Sequence, residues 1–282
     1  MPATVPKTGW SGFARNRARA AAKKGQGTAS PWTWALAGVL AGLLLATLFN
    51  APARWLTTLV QQALNGRLMF EDVRGTVWRG SARMRLSGGE GSTDAATLPG
   101  RLSWLLQPSW GGLLADLNAD CCMQQAGHWR WQPRWAGYQL TLADSQSQWP
   151  AQWLTGLGTP WNTVQIDGQL DLSTQALVIE RAAGRTWVSG QVELNARNIS
   201  SRLSTLRPMG SYRLTLTGGA TPTFGLATLE GALQLSGNGQ WVANRLRFDG
   251  VASATPERLD ALSNLLNIIG RREGAHAIIK IG

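Results

Sequence analysis

The chain has 282 residues and a formal net charge of +11, from 27 Lys and Arg against 16 Asp and Glu. Six of those cations, Lys7, Arg15, Arg17, Arg19, Lys23 and Lys24, stand in a leader that has no acid, so everything beyond it carries only +5. That balance excludes a nucleic-acid footprint, which needs runs of roughly 5–8 clustered cations. Two cysteines exclude a disulfide framework, and two histidines far apart in sequence argue against a metal centre.

Trp32 through Phe49 is an 18-residue run without a charged side chain, close to the roughly 20 residues that a membrane-spanning helix needs. The basic leader, 1–31, is expected on the cytoplasmic side by the positive-inside rule, with residues 32–49 in the membrane and 50–282 across it. Ala51-Pro52-Ala53 has the small residues of a cleavage site. A signal's apolar core is usually about 7–15 residues, however, and this run is longer and starts late, so it reads as a retained anchor. Trp32 and Trp34 suit an interfacial belt. Gly38 and Gly42 stand four apart on one helix face and are candidates for close helix packing. Ala, Gly, Arg and Lys dominate Ala18 to Thr28, a composition that reads as disordered.

Past the anchor, Trp55, Leu56, Leu59, Val60, Ala63 and Leu64 follow helical spacing, and Asn65-Gly66 ends that helix. The period then changes from 3.6 to 2. A unit of the form apolar-x-Gly-x-apolar-x-apolar recurs at Leu98–Trp104, Val164–Leu172, Val188–Leu194 and Leu229–Leu235. Each copy reads as a half-buried strand with its glycine on the covered side, where glycine marks a bulge or bend. Tyr212–Leu216 and Leu246–Phe248 alternate in the same way. Gly88-Gly89, Gly218-Gly219 and Gly237-Asn238-Gly239 read as turns, which favours antiparallel pairing. Near the end, Thr255, Pro256 and Glu257 open a helix lined by Leu259, Leu262, Leu266 and Ile269 and closed by Gly270. Ala277–Ile281 reads as a last strand docked into the sheet. The expected fold is mainly β: one membrane helix, then a curved, largely antiparallel sheet with a few short helices.

Side chains in chemically suggestive patterns are few. Neither His128 nor His276 has a second ligand at helical or hairpin spacing, and there is no nucleophile elbow, Walker loop or dinucleotide fingerprint. No catalytic, metal or cofactor-binding residue is assigned, and no cofactor is expected. Asp167 and Asp171 share a strand face with Gln169 and read as solvated, and Asn198-Ile199-Ser200 matches a glycosylation acceptor at chance level. Cys121 and Cys122 are adjacent; a strained vicinal disulfide, a reduced buried pair and no role all remain open. Tryptophan is the compositional excess, at 15 residues. Trp129 and Trp131 alternate on one face and read as core. Trp149-Pro150 and Pro160-Trp161 lie near turns, which makes Trp149 and Trp161 the candidate partner surface.

Four segments in order carry a resemblance: Ala51-Pro52-Ala53-Arg54-Trp55-Leu56, Gly75-Thr76-Val77-Trp78-Arg79-Gly80-Ser81-Ala82, Gly100-Arg101-Leu102-Ser103-Trp104 with Pro108, and Leu266-Asn267-Ile268-Ile269-Gly270-Arg271-Arg272 before Ile281-Gly282. With the leader and membrane helix they resemble type II secretion system protein N; the long Ala- and Arg-rich leader is less typical of that family. The resemblance implies a non-catalytic component of the bacterial inner membrane, single-pass, with the bulk of the chain periplasmic. Its partners would be other inner-membrane secretion proteins and the outer-membrane secretin, and it would support export of folded proteins. Two other classes compete with it. A sheet with one apolar face could cradle the acyl chains of a lipid or glycolipid, while an envelope hydrolase is disfavoured by the missing nucleophile motif.

Overall fold

A computed structural model describes residues 3–4, 31–89, 91–242 and 245–282. The leader expected over 1–31 lies outside the described residues apart from positions 3, 4 and 31. The chain forms two compact units, Met1–Thr47 and Leu48–Gly282. Helix α1 (Pro31–Phe49) has 19 residues and no charge in its first or last turn. At 1.5 Å per residue it is about 28 Å long, enough to cross a hydrocarbon core. The side chains from Trp32 onward are exposed all round.

The second unit opens with α2 (Ala53–Ala63) and then runs mostly as strands. The first eight are β1 (Leu68–Gly75), β2 (Arg79–Ser87), β3 (Ala95–Thr97), β4 (Leu102–Ser109), β5 (Gly112–Ala119), β6 (Gly127–Arg134), β7 (Gly137–Leu142) and β8 (Ser145–Pro150). A 3-10 segment (Ala151–Leu157) and one-turn helix α3 (Trp161–Val164) lead into the long pair β9 (Ile166–Ala182) and β10 (Arg185–Ser201). After β11 (Gly210–Gly219), β12 (Thr223–Gly231), β13 (Leu233–Val242) and β14 (Arg245–Ala254) come α4 (Leu259–Ile269), β15 (Arg271–Glu273) and β16 (His276–Ile281).

All sixteen strands belong to one sheet, ordered β1-β2-β4-β5-β6-β7-β9-β10-β11-β12-β13-β14-β16-β15, with β3 beside β2 and β8 beside β9. The pairings are antiparallel throughout, so neighbours alternate in direction. The tight hairpins β1–β2, β4–β5, β6–β7, β9–β10, β11–β12 and β13–β14 therefore all turn at one rim. The opposite rim holds the longer connections, with α3 and α4, and also the short joins β12–β13 and β15–β16.

Bulges interrupt the ladder where glycine was expected to bend it. Between β9 and β10 the register shifts at Ser189/Gln191, beside Gly190 at φ +92°. A Cβ there would stand 2.3 Å from the Ala176 carbonyl oxygen, so no other residue fits. Other glycines end strands or lie inside them: Leu98–Trp104 is not one strand, since Gly100, at φ +89°, stands in a bend and only Leu102 onward belongs to β4. Leu229–Leu235 is not one strand: Gly231, at φ +124° and against the Gly210 backbone, ends β12 and hands over to β13. Gly237-Asn238-Gly239 is not a turn but the middle of β13. The Phe248 ring lies over these glycines, 2.4 Å from where a Gly237 Cβ would stand. The glycines make room for an aromatic cross-strand neighbour.

The core is divided into three clusters on the sheet. One gathers Ala53, Ala82 and Trp104 with Leu56 of α2. A second gathers Met84, Leu98, Ala119 and Cys122 with Trp149 and Trp153. The largest packs Leu262, Leu265 and Leu266 of α4 with Leu170, Tyr212, Leu233 and Ala252 of the strands. In α2 the buried side is Ala53 and Thr57, whereas Trp55 and Leu59 of the expected stripe face outward. Thr255 makes no side-chain cap, and Gly270 closes α4 in extended conformation at φ −168°.

Candidate functional site

Three of the four segments singled out in the sequence meet in one place; the fourth, Leu266–Arg272, lies at the other end of the strand order, against β14 to β16. After α1 the chain is stitched to the β1–β2 hairpin. Val77 N donates to Ala51 O at 2.8 Å, Trp78 Nε1 donates to Leu48 O at 2.8 Å, and Pro52 bridges Thr76. Beneath them Trp104 is buried, its Nε1 donating to Val77 O at 3.0 Å, with its ring against Gly80. Arg101 reaches from the start of β4 to Asp72, with its Nη1 2.5 Å from Oδ2, and to the Ser81 hydroxyl. Asp72 also accepts from Arg74 and occupies a bulge at φ +49°. The Arg101 hydrogen bond, then that of Arg74, holds the Asp72 carboxyl below the usual carboxylate range. This clasp fixes the exit of α1 to the first strands of the sheet.

The tryptophans distribute differently from expectation. Trp129 and Trp131, read as core, are 37% and 41% exposed. On β6 they face an apolar row without a covering layer: Leu113 pairs with Trp131, Trp131 with Leu140, Leu140 with Ile179, and Ile179 with Val188. None of these five belongs to a core cluster. Trp149 is half-buried and stacks on Trp153 at 5.5 Å, with its Nε1 donating to Ser147 Oγ. Trp161, at the start of α3, is 38% exposed and the more open of the two candidate surface residues. The period-2 pattern identified faces but not which stretch of a face a helix would cover.

The polar candidates resolve into pairs. Asp167 accepts from Gln152 at 2.6 Å, and Asp171 pairs with Arg197 at 2.5 Å. His128 Nδ1 lies 2.6 Å from Asp116 Oδ1 across the β5–β6 ladder, a pairing that the sequence hid because the partners are twelve residues apart. Both are solvent-facing, and His276 stands apart on β16. Among the described residues no three His, Cys, Asp or Glu side chains converge as a metal site. Cys121 and Cys122 are bonded to each other at the end of β5, and Cys122 packs in the second core cluster. Gly38 and Gly42 have open space where a side chain would stand.

No curated protein and no solved structure matches the chain. Residues 66–279 match the family model described as type II secretion system (T2SS), protein N. That span runs from β1 into β16, as far as Ile279, and includes the β1–β2 hairpin, the Arg101–Trp104 segment and α4. The chain belongs to the type II secretion system protein N family.

Proposed function

We propose that the chain is a non-catalytic, single-pass component of the type II secretion system. In this reading 32–49 crosses the bacterial inner membrane, the leader 1–31 is cytoplasmic and 50–282 is periplasmic, with Gly38 and Gly42 offering a flat side for another membrane helix. It supports export by binding other inner-membrane secretion proteins and the outer-membrane secretin. The family match over 66–279 carries this reading. An antiparallel sheet with open surface and the clasp at the exit of α1 fit a protein that holds partners in position.

One observation favours a second reading, lipid handling. The bare row Leu113–Trp131–Leu140–Ile179–Val188 crosses five strands, a length of about 19 Å at roughly 4.8 Å per strand, along which an acyl chain could lie. A photoreactive residue at Trp131 or Trp161 of the chain in intact cells separates the two. Capture of a secretion protein at either position supports the first reading. Capture of lipid alone at Trp131, with export undiminished when the chain is deleted, would replace it with the second.

A further inference from the structure

The rim at which the six hairpins from β1–β2 to β13–β14 turn is set apart by its tryptophans. Five of the six carry a tryptophan in the turn or within three residues of it: Trp78, Trp110, Trp135, Trp187 and Trp241. Trp110 and Trp135 are fully exposed, and Trp187 and Trp241 nearly half exposed. An aromatic side chain in open water at a turn does nothing for the fold. Arginine accompanies them: Arg134, Arg181, Arg185, Arg245 and Arg247 are exposed, and none is ion-paired among the described residues. On the flat of the sheet, by contrast, Arg197 and Arg213 pair with Asp171 and Glu193. At the opposite rim Trp149 and Trp153 stack inward and Trp161 is 38% exposed, and the exposed Arg67, Arg202, Arg207 and Arg258 stand among Asp120, Glu230, Glu257 and Asp260.

This is also the rim at which the chain arrives from α1, since Trp78 holds Leu48, and Thr76 and Val77 hold Pro52 and Ala51. We infer that the hairpin rim is a membrane-docking surface that rests on the headgroups of an anionic bilayer, its tryptophans at the interface and its arginines on lipid phosphates. The inference rests on the reading of α1 as a membrane span. Covalent continuity then keeps the rim within a few residues of the bilayer. Tryptophan is the side chain that settles at headgroup depth, and exposed arginines without a carboxylate partner are drawn to anionic lipid.

The test uses the full chain reconstituted in vesicles of phosphatidylethanolamine and phosphatidylglycerol. An environment-sensitive fluorescent amino acid replaces Trp110, Trp135 or, on the opposite rim, Glu257. These side chains are exposed, so replacement leaves the fold intact. Nitroxide carried on the lipid headgroup is expected to quench the probes at 110 and 135 several-fold more than the probe at 257. Equal quenching at all three positions, in protein that resists carbonate extraction, overturns the rim and leaves the anchor standing. Protein released by carbonate overturns the anchor and the rim with it. Quenching at 110 and 135 that disappears only when a secretion partner is added would agree with the inference; quenching absent from the outset would assign the rim to protein.

Discussion

Asp72 shows how much of one site rests on residues that are remote in sequence. It is gripped by Arg101, twenty-nine residues on, and by Arg74, two residues on. Its carboxyl ionises at lower pH in the folded chain than in the unfolded one, because both guanidinium groups stabilise the anion. The stabilisation is therefore complete above the unfolded value of about 4 and is lost as pH falls through the lower folded value. The urea midpoint of the solubilised chain should fall more between about pH 6 and about pH 3 in the native sequence than in Asp72→Asn. A gap between the two proteins that stays constant over that range would remove Asp72 as its cause. Arg101 and Ser81 were legible as members of separate motifs. That they meet was not, because cross-strand register depends on a bulge at Asp72 that no local pattern announces. Trp104 and Gly80 teach the same lesson: the glycine is needed because an indole from another strand fills its space, at 2.4 Å from a Cβ.

Elements were legible where one period persisted long enough. In α4 the spacing of Leu259, Leu262, Leu266 and Ile269 placed the helix, and Leu262 and Leu266 are wholly buried against the sheet. Its ends were less readable, since the caps are made by the backbone and by β15 following at once, not by the Thr255 side chain. Glycine was ambiguous among three uses: a bulge at Gly190, a strand end at Gly231, and space under a ring at Gly237 and Gly239. Only the residues facing each one across the ladder decide which applies. The α4 helix also sets a measurable expectation. Leu262→Ala should lower stability by about 2–5 kcal/mol, since it opens a cavity in the largest cluster. Ile268→Ala, on the 47% exposed side, should stay within about 0.5 kcal/mol. Equal effects in urea titrations would mean that α4 does not dock as described.

At the scale of the whole molecule, the sheet is continuous but its cover is not. α2 lies over β1 and β2, the 3-10 segment contacts β2, β3 and β9, and α4 lies over β14 to β16. Leu113, Trp129, Trp131, Leu140, Leu142, Ile179 and Val188 form a gap between those covers. Backbone hydrogen bonds bind β6 and β7 to neighbours on both sides, yet few buried apolar contacts back them, which is the condition for local opening. Amide exchange should therefore be faster in Trp129–Leu142 than in the β10–β11 ladder under the main cluster, by at least about tenfold, equivalent to about 1.4 kcal/mol. A ligand seated on the bare row should slow exchange there and leave the helical rim unchanged, since binding stabilises only the states that present the site. Uniform protection across the sheet without any ligand would mean that the ladder alone makes the sheet one cooperative body, and the bare row would then be rigid surface instead of a region poised to accept an occupant.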